Sequence, residues 1–225
     1  MEKKMSRREF LKASAAAGTI LCVTPTITLA QQAKSIQLSN PQTNSGNSLM
    51  QLLWKRMSSR EFSPKPVPVA ILSNLLWAGF GINRPDGKRT APSAHNSQDI
   101  DIYVILPHGL YLYDAKANQL KLLLAEDLRA LAGTQSYVKE APVNLVCVSD
   151  YAKLGEKEPN ESKILLSGAH TGLIAENIYL YCASEGLVTV VRAMIDIPAL
   201  SKAMKLRSDQ KITLAQSVGY PRKTS

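Results

Sequence analysis

Pro142–Ser149, Pro-Val-Asn-Leu-Val-Cys-Val-Ser, is the stretch that most narrows what this chain can fold into. It is nearly all apolar, and successive side chains of a strand point to opposite faces of a sheet, so this strand needs cover on both sides. Helices elsewhere in the chain can supply that cover. Ser162–Glu185 carries Ile164, Leu165, Leu173, Ile174, Ile178, Leu180 and Tyr181 before Gly186, which predicts the longest helix. Leu49–Arg56, Pro68–Phe80, Glu126–Ala132 and Ile197–Leu206 predict shorter ones. Further strands are predicted at Ile100–Leu106, at Val188–Ile195 and at Ile212–Val218, with a hairpin of Gly109–Tyr113 and Gln119–Leu124 around Ala115–Asn118. Helices mixed with non-consecutive strands, and no internal repeat, predict one α+β domain with helices packed on a central sheet.

The amino terminus reads as an address. Lys3, Lys4, Arg7 and Arg8 precede an apolar, small-residue segment from Ala13 to Thr28 that is too short for a stable membrane span, and Thr28-Leu29-Ala30 offers small residues for cleavage. Ser6-Arg7-Arg8-Glu9-Phe10-Leu11-Lys12 matches the twin-arginine signal pattern. Such a signal implies the twin-arginine export machinery as a partner, a periplasmic or otherwise exported destination, and a cargo folded, typically around a cofactor, before export. The alternative is a general secretory signal with accidentally paired arginines. Leu21 stands where a lipoprotein signal wants Gly or Ala, so Cys22 reads as an ordinary apolar residue.

Removing residues 1–30 takes away five basic and two acidic residues, lowering the formal charge from +9 to +6. The remaining cations form no run and no nucleic-acid motif appears, so the expectation is no nucleic-acid partner and no membrane span after cleavage. Residues 31–48, rich in Gln, Asn and Ser, read as a polar linker or arm, and residues 49–225 as the domain. Cys147 and Cys182 lie in apolar patterns and are expected as buried free thiols, with a single bridge as the alternative.

Arg56-Met57-Ser58-Ser59-Arg60-Glu61-Phe62 follows the first domain helix. Two guanidiniums four apart beside serine hydroxyls suit a phosphate or an electron-rich ring edge, and equally suit a solvated helix end with its cations on the dipole. His95, His108 and His170 have no ligand spacing, so no metal site is expected and each reads as a surface or loop histidine. There is no Gly-x-Ser-x-Gly elbow, phosphate-cradling Gly-Lys-Ser/Thr loop or dinucleotide fingerprint. With metal and hydrolase chemistry unsupported, an organic cofactor is the remaining candidate for an exported, prefolded protein.

Four separated motifs, in order, carry a family resemblance. They are Arg56-x-Ser58-x-Arg60 followed by Phe62; Ala91-Pro92-Ser93-Ala94-His95-Asn96-Ser97-Gln98; the helix Gly168–Leu187 with Glu176-Asn177 and a terminal Gly186-Leu187; and Gly219-Tyr220-Pro221 with Arg222 and Lys223 behind it. Residues 49–225 resemble the nitroreductase superfamily. The resemblance implies an α+β fold with a mostly antiparallel sheet, an intertwined homodimer, and flavin mononucleotide (FMN) held in two interface clefts.

On that resemblance Arg56 and Arg60 would bind the FMN phosphate or the pyrimidine edge of its ring, with Ser58 donating a hydrogen bond nearby. Pro92, Ser93, Ala94 and Asn96 would reach the flavin from the partner subunit, Val191, Arg192 and Ala193 would face its reactive edge, and Arg222 the phosphate. The implied chemistry is two-electron, ping-pong hydride transfer. No catalytic side chain is assigned; His95 and Tyr220 are candidates for an acid or base, against plainer roles as a loop histidine and a core tyrosine.

Departures from the pattern refine this. Asp99-Ile100 replaces the common Pro-Trp, and Val191-Arg192-Ala193-Met194 stands where Pro-Ile-Glu-Gly is usual. These and the short C-terminus look more like the branch containing thiazoline- and oxazoline-forming peptide oxidases. Export leaves the electron donor open between a quinol, an exported redox partner, the substrate itself and NAD(P)H. A flavin-free binding or scaffolding module that kept the fold is the alternative reading.

Overall fold

The computed structural model describes residues 35–44 and 46–222. The signal pattern, its cleavage site and Lys223 lie outside them. Seven strands form one sheet: β1 (Ser35–Gln37), β2 (Ile100–Leu106), β3 (Gly109–Asp114), β4 (Gln119–Leu124), β5 (Val143–Asp150), β6 (Val188–Arg192) and β7 (Gln210–Gly219). Their spatial order is β1-β4-β3-β2-β5-β7-β6, and every pairing is antiparallel.

β5 sits at the heart of the sheet and is buried along its whole length. Its alternate residues divide the core in two. Val143, Leu145 and Cys147 face α2 (Val69–Phe80) and α3 (Asn160–Glu185), joining Leu75, Leu76, Ile174 and Ile178. Val146 and Val148 face the other side, with Tyr103, Ile105, Leu200, Met204 and Ala215, where α4 (Ile197–Ala203) packs. The period-2 alternation of a strand therefore explains why this run carries apolar side chains at both parities. Each fully buried Leu or Ile contributes about 1.5–3 kcal/mol of transfer free energy.

α2 presents Leu72, Leu75, Leu76 and Phe80 to the core, the spacing of one helical face. It approaches α3 closely because Gly79 has no side chain: a Cβ there would stand 3.0 Å from Ile178 Cγ1. α3 ends at Gly186, whose φ of 66° places it in the left-handed region that glycine adopts without strain. The chain then turns directly into β6.

Two expected elements differ. The polar arm contributes β1, which pairs with β4, and Leu38 behind it is buried. Backbone pairing of three residues needs no hydrophobic period, so the sequence pattern carried no sign of it. The short helix expected at Glu126–Ala132 is a single 3-10 turn, Arg129–Leu131. Asp127 accepts both the backbone N–H and the guanidinium of Arg129, and this local bonding competes with continued helix. The remaining helices and strands fall where expected, with shifted ends: the run predicted at Val188–Ile195 leaves the sheet after Arg192. Cys147 and Cys182 are both free and buried.

Candidate functional site

The first helix, α1 (Leu49–Lys55), ends with Arg56, whose backbone N–H caps Leu52. Beyond it the chain lies along the open edge of β6. Ser58 forms a parallel bridge with Thr189, and the N–H of Ser59 donates to the Thr189 carbonyl at 3.0 Å. Phe62, almost wholly buried, bridges Pro221 just beyond β7 and fixes the far end.

Tyr179 of α3 gathers this segment. Its hydroxyl accepts the N–H of Val191 at 2.9 Å and lies 2.8 Å from Ser58 Oγ. The Arg56 guanidinium carbon sits 5.3 Å from its ring centroid, a cation–π distance. Among the described residues, no carboxylate pairs with Arg56 or Arg60, whereas Arg129, Arg207 and Arg222 all have acidic partners. The uncompensated Arg56 guanidinium and the Ser58 hydroxyl meet at this hub, and Arg60 and Ala193 are exposed on the neighbouring stretches of chain, a set of groups that suits an anionic, ring-bearing ligand.

Arg222 lies at the end of this segment, donating to Phe62 O at 3.3 Å and pairing with Glu140 at 2.7 Å. Arg192 turns the other way. Its guanidinium is buried and donates to Ala132 O, Asn144 Oδ1 and Ser217 Oγ, each at 2.9 Å, with no carboxylate paired to it among the described residues. Burial pulls its pKa down to about 10. The Val191 N–H beside it points to Tyr179 and the Arg56 cluster, whereas the Arg192 guanidinium does not.

The second cluster is the loop at 91–98. Pro92, His95 and Asn96 are exposed and Ser93 and Ala94 half-buried. His95, Asn96 and Gln98 have φ values of 52°, 53° and 46°, so three non-glycine residues close together occupy the left-handed region. Such strain persists only when surroundings over-determine the backbone, and several groups do so here. Ser93 Oγ accepts the N–H of Gln98 at 2.9 Å, and Arg89 donates to Gln98 Oε1 at 2.7 Å and to Phe80 O at 2.9 Å. The loop borders a cavity of about 380 Å³ with Arg84 and Lys88 on its rim.

From below, the N–H of Ala94 donates to His170 Nε2 at 2.8 Å. Because Nε2 accepts, the ring proton is on Nδ1 and is donated to Asp99 Oδ1, 2.6 Å away. Asp99 is fully buried and accepts from Ser149 Oγ and Ser97 Oγ as well. His170 is therefore not the surface or loop histidine its sequence suggested; it is buried at 4% exposure and positions the loop. Asp99 and His170 are 71 residues apart, so no local spacing could reveal the pair. The one hint was Asp99 itself, a carboxylate directly before a strongly apolar strand. His95 and His108 are exposed as expected.

The two clusters stay apart within one chain. His170 and Tyr179 both lie on α3, nine residues from each other, which is about 14 Å of rise and half a turn of rotation. The loop and the Arg56 segment are thus on opposite sides of that helix. The solvent side of α3 carries Leu165, Gly168, Ala169, Gly172 and Leu173, an exposed apolar and small-residue stripe at helical spacing. Among the described residues there is no cluster of His, Cys, Asp or Glu that could hold a metal, and no helix is long and apolar enough to cross a membrane.

The nitroreductase family model matches residues 53–220. A candidate nitroreductase from Ralstonia eutropha JMP134 superposes with a TM-score of 0.81 at 43% identity, over 85% of this chain and 91% of that one. A candidate nitroreductase of Methanocaldococcus jannaschii is 28% identical over 152 residues, 63% of this chain and 76% of its own length. A candidate nitroreductase from Desulfovibrio desulfuricans, solved in complex with FMN, shares the fold with a TM-score of 0.58 at 22% identity, over 80% of this chain and 90% of that one.

Proposed function

Since the chain belongs to the nitroreductase family and is a nitroreductase-family oxidoreductase, we propose that it is an exported, FMN-dependent enzyme acting as a homodimer. The observation that carries this reading is the Tyr179 hub, which brings Arg56, Ser58 and the Val191 backbone together, with no acidic partner for Arg56 or Arg60 among the described residues. When bound, FMN would supply two-electron hydride chemistry.

The protein's own residues bind and orient. Arg56 and Arg60 offer positive charge to the phosphate or the pyrimidine edge, Ser58 a hydroxyl, and Ala193 exposed backbone. Tyr179 holds Ser58 and Val191 in register, so the ring-facing strand and the cation-bearing segment keep one geometry. Arg192 acts from behind, tying β6 to Asn144 and Ser217. Arg222 lies within reach of the same segment once released from its exposed pairing with Glu140.

The homodimer completes the site. In one chain the loop carrying Pro92, Ser93, Ala94 and Asn96 is held about 14 Å along α3 from the Tyr179 hub and on the helix's other side, so a second copy is needed to deliver it. The exposed stripe on α3 supports that association, since a contiguous apolar face on a soluble chain marks an interaction surface.

Export follows from the twin-arginine pattern at Ser6–Lys12. In a ping-pong cycle the substrate itself would then be the two-electron donor, in place of soluble NAD(P)H, and a quinone or exported redox protein would take the two electrons in the second half-reaction. Asp99 in place of the common Pro-Trp, and Val191–Met194 in place of Pro-Ile-Glu-Gly, favour a substrate of the kind oxidised by the azoline-forming branch over a nitroaromatic.

Purified protein should be yellow, with a flavin band at about 450 nm. Arg56→Ala should lose that band, and FMN titration into the apoprotein should show at least about tenfold weaker binding, the loss of one charge-assisted contact. A colourless wild-type protein that takes up no FMN rejects the proposal.

A further inference from the structure

Away from both clusters, a cavity of about 840 Å³ opens between the exit of β5, the first turn of α3, α4 and the start of β7. Its size falls in the range of small-molecule sites. Ile164, Ile197, Leu206 and Ile212 give it an apolar lining. Lys163 lies among them, only 9% exposed.

The stem of Lys163 is buried in the cavity wall while its ammonium stays open to the cavity. Among the described residues its ammonium has no hydrogen bond and no carboxylate; the nearest attraction is the ring of Tyr151, 5.9 Å away. An ammonium that opens onto apolar surface with no counter-charge beside it is free to pair with an anionic head. Arg207, also on the cavity wall, is already neutralised by Asp150 and Asp209, whereas Lys211 has no acidic partner among the described residues. The local balance at Lys163 is therefore positive.

A second feature points the same way. Lys163 belongs to the first turn of α3, a helix of 26 residues whose N-cap, Pro159, supplies no side-chain hydrogen bond. Only the Lys163 amide finds a carbonyl there, on Pro159. The preceding amides of Asn160, Glu161 and Ser162 are orphan donors of the helix start, and the dipole adds positive potential at the same end.

We propose that this cavity is a binding site for a small organic anion, carboxylate- or sulfonate-headed, with an apolar body. The head pairs with Lys163 beside the α3 N-terminus, and the body lies on Ile164, Ile197, Leu206 and Ile212. Inorganic phosphate alone would leave the apolar lining unused, and a metal cation would meet the ammonium. The site does not depend on the flavin reading, because no residue of either flavin cluster takes part.

Octanoate is the probe. Calorimetry on the full chain should show one octanoate per chain, weakened at least about tenfold by Lys163→Met, which removes the charge and keeps the burial. Lys163→Arg should restore binding, and octan-1-ol should not compete. Because Lys163→Met also changes packing, the wild-type protein is tested independently: octanoate should slow reductive methylation of Lys163, read by peptide mass spectrometry, while exposed Lys139 labels at its usual rate. Equal octanoate affinity in wild type and Lys163→Met, competition by octan-1-ol, or unprotected labelling of Lys163 overturns the proposal.

Discussion

Tyr179 shows how much one oxygen can organise. Tyr179→Phe keeps the ring beneath Arg56 but removes the acceptor for the Val191 N–H and the partner of Ser58, so a loss of about 1–2 kcal/mol is expected in urea unfolding. FMN affinity should fall with it, through misregister of Ser58 against β6. His170→Leu should cost more, about 3 kcal/mol or above, because it leaves the fully buried Asp99 carboxylate without its ring partner and the Ala94 N–H without an acceptor. Guanidinium unfolding curves check this, and a wild-type midpoint in His170→Leu would deny the pair its structural role.

Buried thiols and phenols, Cys147 and Tyr113 among them, contribute to the alkaline limit. Burial pushes the Cys147 thiol from 9.0 up to about 12 and the Tyr113 phenol from 10.0 up to about 12. Both pKa values are raised in the folded state, so the unfolded chain releases its protons first. Stability is complete below about pH 9 and is lost as pH rises towards 12, which a series of denaturation curves from pH 8 to 11 would show. At neutral pH, Cys147 and Cys182 should stay unreactive to a thiol reagent until the protein unfolds.

Among elements, the packing of α2 on α3 is the most exacting. Gly79→Val places branched carbon where even a Cβ stands 3.0 Å from Ile178, so a penalty of about 1–3 kcal/mol is expected, read as a lower Tm. Gly79→Val combined with Ile178→Ala should recover part of it by giving the new methyls room. Long, periodic elements such as α3 and the two-faced β5 were legible because burial imposes their pattern directly on the residue order. β1 and the 3-10 turn at Arg129–Leu131 were not, since the first is held by backbone bonds alone and the second by an Asp127 carboxylate capturing its own neighbour.

The described residues form an α+β domain whose proposed site closes only between copies. Replacing Leu165 and Leu173 together with Glu should halve the mass measured by light scattering, and should release FMN although neither residue belongs to a flavin cluster. A dimer that keeps its mass in this variant would place the interface elsewhere.

By itself the amino-acid order determined the helices, most of the strands, the layering around Pro142–Ser149 and the motif spacing of Arg56, Ser58 and Arg60. These are short-range properties: periodicity, turn chemistry and charge repeat within a few residues. Only the tertiary structure decided that Arg192 points inward, that Asp99 reaches His170, that the stem of Lys163 is buried in a cavity wall, and that the two candidate clusters stand on opposite sides of α3. Each of those depends on which distant segments the sheet order brings together, and a contact between residues far apart in the chain leaves no period in the sequence to be read.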